Sequence, residues 1–164
     1  MNPTNRINTN ARRAFTLIEL VAVMVVLAIL AGVAIPKYFD YADRAKTAST
    51  EGTLGGVRTG VASFLSDSAI SGTAAYPTAV ELGTLGTVMQ QAIPENPYNG
   101  LNTVAAITVL ASATNRVVAN PTTIGWNYYV DNAATPPVAY FWANSSDDTT
   151  KLDSGGTAIT ANDL

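Results

Sequence analysis

The chain has 164 residues, of which 48% are hydrophobic and 13% are charged, a composition typical of an ordered protein. It contains no cysteine and no histidine, which excludes disulfides, thiol chemistry and the commonest general base and metal ligand. The formal net charge is −3, and after the first 14 residues six basic residues face twelve acidic ones. Neither an enzyme nor a nucleic-acid-binding protein is therefore expected.

A basic leader precedes a long apolar run. Residues 1–14 are polar and contain three arginines, whereas only Thr16 and Glu19 are polar among residues 15–35. At about 1.5 Å per residue, a helix of this length just crosses a hydrocarbon core of about 30 Å. Positive charge before the run predicts a single pass with a cytoplasmic N-terminus.

Two interpretations of this N-terminus are open. A secretory signal has its small-residue cleavage site after the apolar region, but none follows Ile35, and the small residue Ala14 precedes the run. An uncleaved signal anchor is the first interpretation. The second follows from the string RRAFTLIEL and the following VAVMVVLAILAGVAIP, which resemble the class III signal of type IV prepilins and type II secretion pseudopilins.

The resemblance implies a processing site. A prepilin peptidase would cut between Ala14 and Phe15 and methylate the new amine of Phe15; Ala14 stands where the family usually has glycine. Residues 1–14 would be removed, and residues 15–36 would form the transmembrane and filament-core helix. The implied partners are other pilin subunits in a homo- or hetero-oligomeric helical filament, the peptidase and an inner-membrane assembly platform. The implied location is the bacterial inner membrane, with the C-terminal domain periplasmic, and then a periplasmic or cell-surface filament.

Glu19 is the acid that the family places fifth after the cut. A carboxylate inside a membrane helix costs about 2.5–3.5 kcal/mol, so it usually has a partner. Cleavage would create an amine at Phe15, and pairing of Glu19 with the Phe15 amine of a neighbouring subunit would fix the axial register of assembly. The alternative is that Glu19 snorkels toward the headgroups near the helix end.

The helix is expected to continue past the membrane. Apolar and small residues recur every three or four positions to about Ser66, so residues 37–66 are predicted to form its amphipathic second half. Gly32 and Pro36 predict a bend, either an ordinary proline kink or, by the resemblance, a bend or local melting inside a filament. Four glycines between 52 and 60 indicate either close approach of another element, such as the sheet, or a helix break.

Residues 67–164 are predicted to form the globular domain. Residues 67–78 are expected to be a loop and 80–92 a short helix or turns. The candidate strands are Val104–Leu110, Arg116–Ala119, Gly125–Asp131 and Val138–Ala143. The expected fold class is α+β and pilin-like, with the long helix packed on a small antiparallel sheet of three to four strands. The aromatic residues of the last two strands are either core or a sugar- or surface-binding patch.

The segments GWNYY and FWAN resemble C-terminal domains of some pilin-like proteins. With the absence of a disulfide pair, they favour a type II secretion pseudopilin. The alternative is a type IV pilus pilin for adhesion, motility or DNA uptake. From another class, a monomeric membrane-tethered periplasmic binding module would also fit the chain.

The C-terminal segment is rich in oxygen-bearing side chains. Asp147, Asp148 and Asp153 are candidate ligands for calcium, an ion that the resemblance to major pseudopilins also implies near the C-terminus. The spacing does not match an EF-hand, and a solvated acidic tail is the alternative. No other cofactor is expected.

Overall fold

The computed structural model describes residues 15–164, so the predicted leader, including Ala14, lies outside the described residues. The chain divides into two compact units, the first ending at Asp40 and the second comprising Tyr41–Leu164. We call the second the folded unit. The long helix α1, Leu17–Ile70, contributes residues to both.

Helix α1 is continuous over 54 residues and passes through Gly32 and Pro36 without interruption. It also continues through residues 52–60, so the glycines do not break it. It ends at Ile70, one turn later than expected, where Gly72 adopts a φ of +101° and the Thr73 amide donates to the Ser68 carbonyl at 3.1 Å. A left-handed glycine with this long return bond is a common helix stop.

The buried side of α1 follows a spacing of three and four residues: Thr47, Thr50, Leu54, Val57 and Val61. The last three belong to the main core. Gly60 confirms the predicted close approach, because a Cβ there would lie 2.8 Å from the Met89 sulfur. The approaching element is the loop around Val88 and Met89 and not the sheet, and no atom comes within 4 Å of a Cβ at the other three glycines.

A three-stranded sheet packs on this side of α1. Its strands are β1 (Val104–Ile107), β2 (Trp126–Asp131) and β3 (Val138–Ala143), in the order β1-β2-β3. Strands β2 and β3 are antiparallel, whereas β1 runs parallel to β2. The α+β class is confirmed, but the expectation of an all-antiparallel sheet is wrong for β1, because the connection from β1 to β2 crosses back over the sheet.

That connection contains a short helix, α3 (Leu110–Thr114), and an irregular loop. The predicted strand at Arg116–Ala119 is wrong: Arg116 and Asn120 have φ values of +46° and +49°, which no strand tolerates. Asn144 holds the loop instead, since it accepts from the Ala119 amide at 2.9 Å and donates to the Ala119 carbonyl at 2.8 Å. The predicted helix within residues 80–92 is confirmed but short, as α2 (Ala79–Gly83).

Both faces of the sheet are covered. Trp126, Tyr128 and Phe141 lie on the face that packs with the α1 core residues. Tyr129 and Trp142 lie on the opposite face, where Ala113 of α3 covers them. Burial on both faces explains why β2 and β3 show apolar residues at nearly every position.

The C-terminal segment is an ordered hairpin and not a free tail, but Asp147, Asp148 and Asp153 are all exposed, as the alternative of solvated acids predicted. Strand β4 (Asp148–Leu152) pairs antiparallel with β5 (Ala158–Thr160), and a 3₁₀ helix, Ala161–Asp163, follows. The Asp153 carboxylate closes the turn, because one of its oxygens accepts the amides of Gly155 and Thr157, each at 2.8 Å. Such a local bond is the usual role of aspartate in a turn.

A set of polar contacts, which we call the hairpin latch, attaches β4 to α1. The Thr47 hydroxyl oxygen accepts from the Thr150 amide at 3.1 Å and lies 3.2 Å from the Tyr98 hydroxyl. Lys151 forms an ion pair with Glu51 one turn along α1. The latch connects residues that are 103 positions apart in the chain.

Candidate membrane and assembly segment

The apolar segment, residues 15–35, is exposed along its whole length. Its large apolar side chains range from 46% exposed at Val21 to 80% at Leu17, and the first buried residue of α1 is Thr47. By length and composition this part of α1 can cross a membrane. So large an unpacked apolar surface needs lipid or protein to cover it, because exposing it to water is unfavourable.

Thr16 sets the start of the helix. The Glu19 amide donates to the Thr16 hydroxyl oxygen at 3.3 Å and to the Thr16 carbonyl at 3.2 Å. Thr-x-x-Glu is the sequence pattern of a helix N-terminus, so this role was readable from the sequence, although the family resemblance drew attention to Glu19 alone. Phe15 precedes the helix and is 76% exposed.

Glu19 lies in the first turn of α1 with its side chain exposed. Carboxylates are favoured there, because the helix dipole leaves partial positive charge at the N-terminus. Within residues 15–164 its carboxylate makes no hydrogen bond or ion pair. The geometry thus leaves the acid available to a partner outside the described residues. The pairing with Phe15 of a neighbouring subunit stays a prediction.

Gly32 and Pro36 occupy one stretch of uninterrupted helix in the first unit. A Cβ built on Gly32 would meet no atom within 4 Å, so nothing within the described part of the chain requires glycine there. The proline removes one hydrogen bond from the helix and weakens it locally. The predicted bend remains untested.

The three candidate calcium ligands each have a different position. Asp147 accepts from the Ser145 hydroxyl at 2.5 Å, Asp148 begins β4, and Asp153 closes the hairpin turn. Over residues 15–164 no group of three acidic side chains is arranged to hold a metal ion. Calcium binding therefore stays a prediction from sequence and resemblance.

The aromatic side chains of the sheet are mostly core. The Trp126 indole donates to the Pro94 carbonyl at 2.9 Å, the Tyr128 hydroxyl donates to the Pro77 carbonyl at 2.8 Å, and both residues are buried. Burial also raises the pKa of Tyr128, so its hydroxyl keeps the proton that it donates. Trp142 is buried as well, whereas Tyr140 is 38% exposed. The prediction that these aromatic residues belong to the core is confirmed for Trp126, Tyr128 and Trp142.

Arg58 joins α1 to the far edge of the sheet. Its guanidinium donates to the carbonyls of Phe141 and Leu164, both at 3.1 Å. Partial burial, and to a lesser extent the charge of Arg116, lower its pKa, but guanidinium groups remain cationic at physiological pH. Sequence reasoning gave Arg58 no role, because its partners are backbone atoms far along the chain.

Comparison with protein-family models shows what the apolar segment carries. Residues 9–35 match the prokaryotic N-terminal methylation motif, the signal of type IV prepilins and pseudopilins. The match includes Ala14, Phe15, Glu19 and Gly32. Comparisons with curated proteins and with solved structures give no match. The motif implies processing by a prepilin peptidase and pilin-type assembly, and the exposed apolar helix that bears it supports membrane anchoring.

Proposed function

We propose that this chain, which carries the type IV prepilin and pseudopilin signal, is a structural subunit of a pilus-like filament, and more narrowly a type II secretion pseudopilin. One observation carries the proposal. The signal lies on the part of α1 whose large apolar side chains are all exposed, residues 15–35, and none of these side chains belongs to the core of the folded unit. Such a helix is suited to lipid before assembly and to other subunits afterwards.

The proposed sequence of events follows from the motif. The subunit waits in the bacterial inner membrane with its N-terminus cytoplasmic and the folded unit periplasmic. A prepilin peptidase cuts before Phe15 and methylates the new amine. An assembly platform then moves the subunit into a helical filament whose interior contains residues 15–35. The chain performs no catalytic step in this scheme, in line with its lack of histidine and cysteine.

Glu19 is proposed to select the correct axial position. Its carboxylate has no partner within the described chain, and the Phe15 amine of an assembled neighbour would supply one. A hydrogen bond between charged groups contributes about 1.5–3 kcal/mol, which corresponds to about 10- to 100-fold in an equilibrium. A subunit at the wrong axial position would leave both charges unpaired in an apolar surrounding.

The pseudopilin assignment has a close competitor in a type IV pilus pilin, because the two share the signal. The absence of cysteine favours the pseudopilin. Complementation separates them: the chain should restore protein secretion to cells that lack the major pseudopilin and should not restore surface pili to cells that lack the pilin. The reverse outcome would make the chain a pilin.

Glu19→Ala tests assembly itself. The variant should stay in the membrane at the parent's level but yield about tenfold fewer filaments or less, because the acid–amine pair is lost. Crosslinking between engineered cysteines and the mass of the mature N-terminus provide the measurements. Glu19→Asp is the control, since it keeps the charge and should retain part of the assembly.

Two results would contradict the proposal at different points. Normal assembly of the Glu19→Ala protein would refute the register mechanism. An intact N-terminus beginning at Met1 would instead support a membrane-tethered binding module. That alternative has less support, because Trp126 and Tyr128 are buried and cannot present their rings to a ligand.

A further inference from the structure

Two adjacent aromatic residues follow the apolar segment directly. Tyr38 and Phe39 are 70% and 61% exposed, and their rings meet edge to face with centroids 6.1 Å apart. Neither ring belongs to a hydrophobic core cluster of the described chain. Together with Lys37 they form what we call the aromatic collar. No contact within residues 15–164 accounts for two exposed rings at this position.

The position of the collar matches the dimensions of a bilayer. Tyr38 lies 21 residues after Leu17, which is about 32 Å along a helix, close to the thickness of the hydrocarbon core. The sequence also changes here from apolar to charged, since Asp40 is the first acid after Glu19 and further charged residues follow it. Tyrosine is enriched at membrane interfaces, where its ring stays in the apolar layer and its hydroxyl in water, and a lysine can extend its charge to the headgroups.

We propose that the aromatic collar binds the bilayer interface and thereby sets the depth at which Glu19 waits for assembly. This inference rests on the proposed storage of the subunit in the membrane. Glu19 lies 19 residues before Tyr38, or about 29 Å along the helix. With Tyr38 at one interface, the carboxylate lies at the opposite edge of the hydrocarbon core and not at its centre. The acid is then close to the layer in which the Phe15 amine of an assembled neighbour would lie.

The collar resists movement of the helix toward the cytoplasm. Such movement would relieve the cost of the Glu19 carboxylate, but it would draw the Tyr38 hydroxyl into hydrocarbon. Small apolar residues at 38 and 39 would remove the part of that resistance that the rings provide, whereas the Asp40 carboxylate would still resist entry into hydrocarbon. The helix should then shift toward the cytoplasm by up to about 3 Å, the two residues that separate Tyr38 from Asp40. The shift depends on Glu19, so it should vanish when the acid is absent.

The test uses the full chain in vesicles of phosphatidylethanolamine and phosphatidylglycerol. Because the chain has no cysteine, Ala34→Cys offers one site for an environment-sensitive fluorophore. Nitroxide lipids labelled near the headgroup or near the chain end report its depth. Tyr38→Ala with Phe39→Ala should move the probe about 2–3 Å deeper, whereas Tyr38→Trp with Phe39→Trp should keep the parent depth.

Two further variants control the test. Adding Glu19→Ala to the double alanine variant should abolish the shift. Tyr140→Ala, which removes an exposed ring from β3, should leave the probe at the parent depth.

Each outcome has a distinct meaning. A probe that stays within about 1 Å of its parent depth in the double alanine variant would overturn the collar but leave the membrane anchor intact. A depth that changes with the protein-to-lipid ratio would show that a second copy of the chain covers the rings, which also overturns the inference. A parent probe that an aqueous quencher reaches would show that the helix does not insert, and membrane storage itself would fail.

Discussion

Glycine occupies two opposite kinds of position in the folded unit. At Gly125, a Cβ would lie 1.9 Å from the Leu101 carbonyl oxygen and 2.5 Å from its carbon, so the backbone itself excludes any side chain. At Gly55, on the exposed side of α1, a Cβ would meet no atom within 4 Å. The sequence shows the same residue type in both places. Only the close approach of residues 101 and 125 separates a required glycine from a dispensable one.

Alanine at these two positions should therefore change stability in opposite directions. Gly55→Ala should raise the free energy of unfolding by about 0.5–1 kcal/mol, because glycine is a poor helix former. Gly125→Ala should lower it by at least about 2 kcal/mol, because backbone must move to admit the methyl group. Urea denaturation followed by tryptophan fluorescence measures both. Equal effects would mean that the close contact at Gly125 is absent.

The hairpin latch determines how firmly one element, the β4–β5 hairpin, is held on α1. Thr47→Val keeps the shape of the side chain but removes the acceptor of the Thr150 amide, at a cost of about 1–3 kcal/mol. Hydrogen exchange in residues 148–160 should accelerate more than exchange in β2 and β3. Thr53→Val is the control, since the Thr53 hydroxyl donates only to the Ser49 carbonyl of its own helix. Faster exchange throughout the folded unit would contradict a local role.

Helix α2 has five residues and depends on its cap. The Glu81 carboxylate accepts from the Thr78 amide at 2.8 Å, and the Glu81 amide donates to the Thr78 hydroxyl oxygen at 3.3 Å. The pKa of Glu81 is lowered below its ordinary value of 4.5. The hydrogen bond from the Thr78 amide is the largest cause, and the hydrogen bond from the Thr78 hydroxyl is the second. Because the folded-state pKa is depressed, the stabilisation is present above that ordinary value and is lost as the pH falls through the folded-state pKa.

Acid should therefore loosen α2 before it affects the sheet. As the pH falls below 4.5, the ordinary glutamate value, the protection factors of the residue 79–84 amides should decrease in the parent chain. A protection factor is the ratio of the intrinsic to the observed exchange rate, so it is corrected for the intrinsic pH dependence. Glu81→Gln should show the lower protection already at neutral pH and should lack this acid dependence. Hydrogen exchange followed by NMR, together with titration of the Glu81 carboxyl, measures both effects. A parent whose α2 protection factors are equal at both pH values would contradict the role of the charge.

At the scale of the whole molecule, the two units differ in what their apolar side chains contact. Among the residues that the structure describes, every member of the main core lies within Tyr41–Leu164. A fragment 41–164 should therefore be soluble and should show the near-ultraviolet dichroism of buried Trp126 and Trp142. A fragment 58–164 lacks Leu54 and Val57 and should lose that signal, since each deletion from a core costs about 2–5 kcal/mol. Equal spectra for both fragments would contradict this account of the core.

Local patterns predicted the parts of the fold that local physics determines. Strands β2 and β3 were recognisable because aromatic and apolar residues fill them, and the helix because its apolar residues recur every three and four positions. The parallel pairing of β1 was not recognisable, since it depends on a crossover. Strand β4 looked like a polar tail, because its hold on α1 comes from Thr47, far away in sequence. The turn residues Asp153 to Gly156 between two threonine-rich runs were the one local sign of that hairpin.

The candidate site likewise has parts that the sequence predicted and parts that it could not predict. Phe15, Glu19 and the apolar run were readable, because they act as a contiguous string and the motif comparison matches that string. The partner of Glu19 is not readable from one chain, since the proposed bond joins two. The calcium candidates were chosen by composition, which does not show whether their carboxylates point to a common site. In the structure the Asp153 carboxylate accepts a hydrogen bond within the hairpin turn instead.

The separation of 103 positions between Thr47 and Thr150 also determines the order in which the two partners are synthesised. A ribosome adds about 5–20 residues per second, so α1 emerges roughly 5–20 s before the hairpin that attaches to it. Strands β2 and β3, which cover Leu54 and Val57, are likewise made late. During that interval the side of α1 that later becomes buried is exposed, as is the membrane segment before it. A chaperone or translocation channel therefore meets two exposed apolar stretches in the same chain. The nascent chain must therefore be protected from aggregation over the whole of α1, and only the second half gains that protection from its own fold.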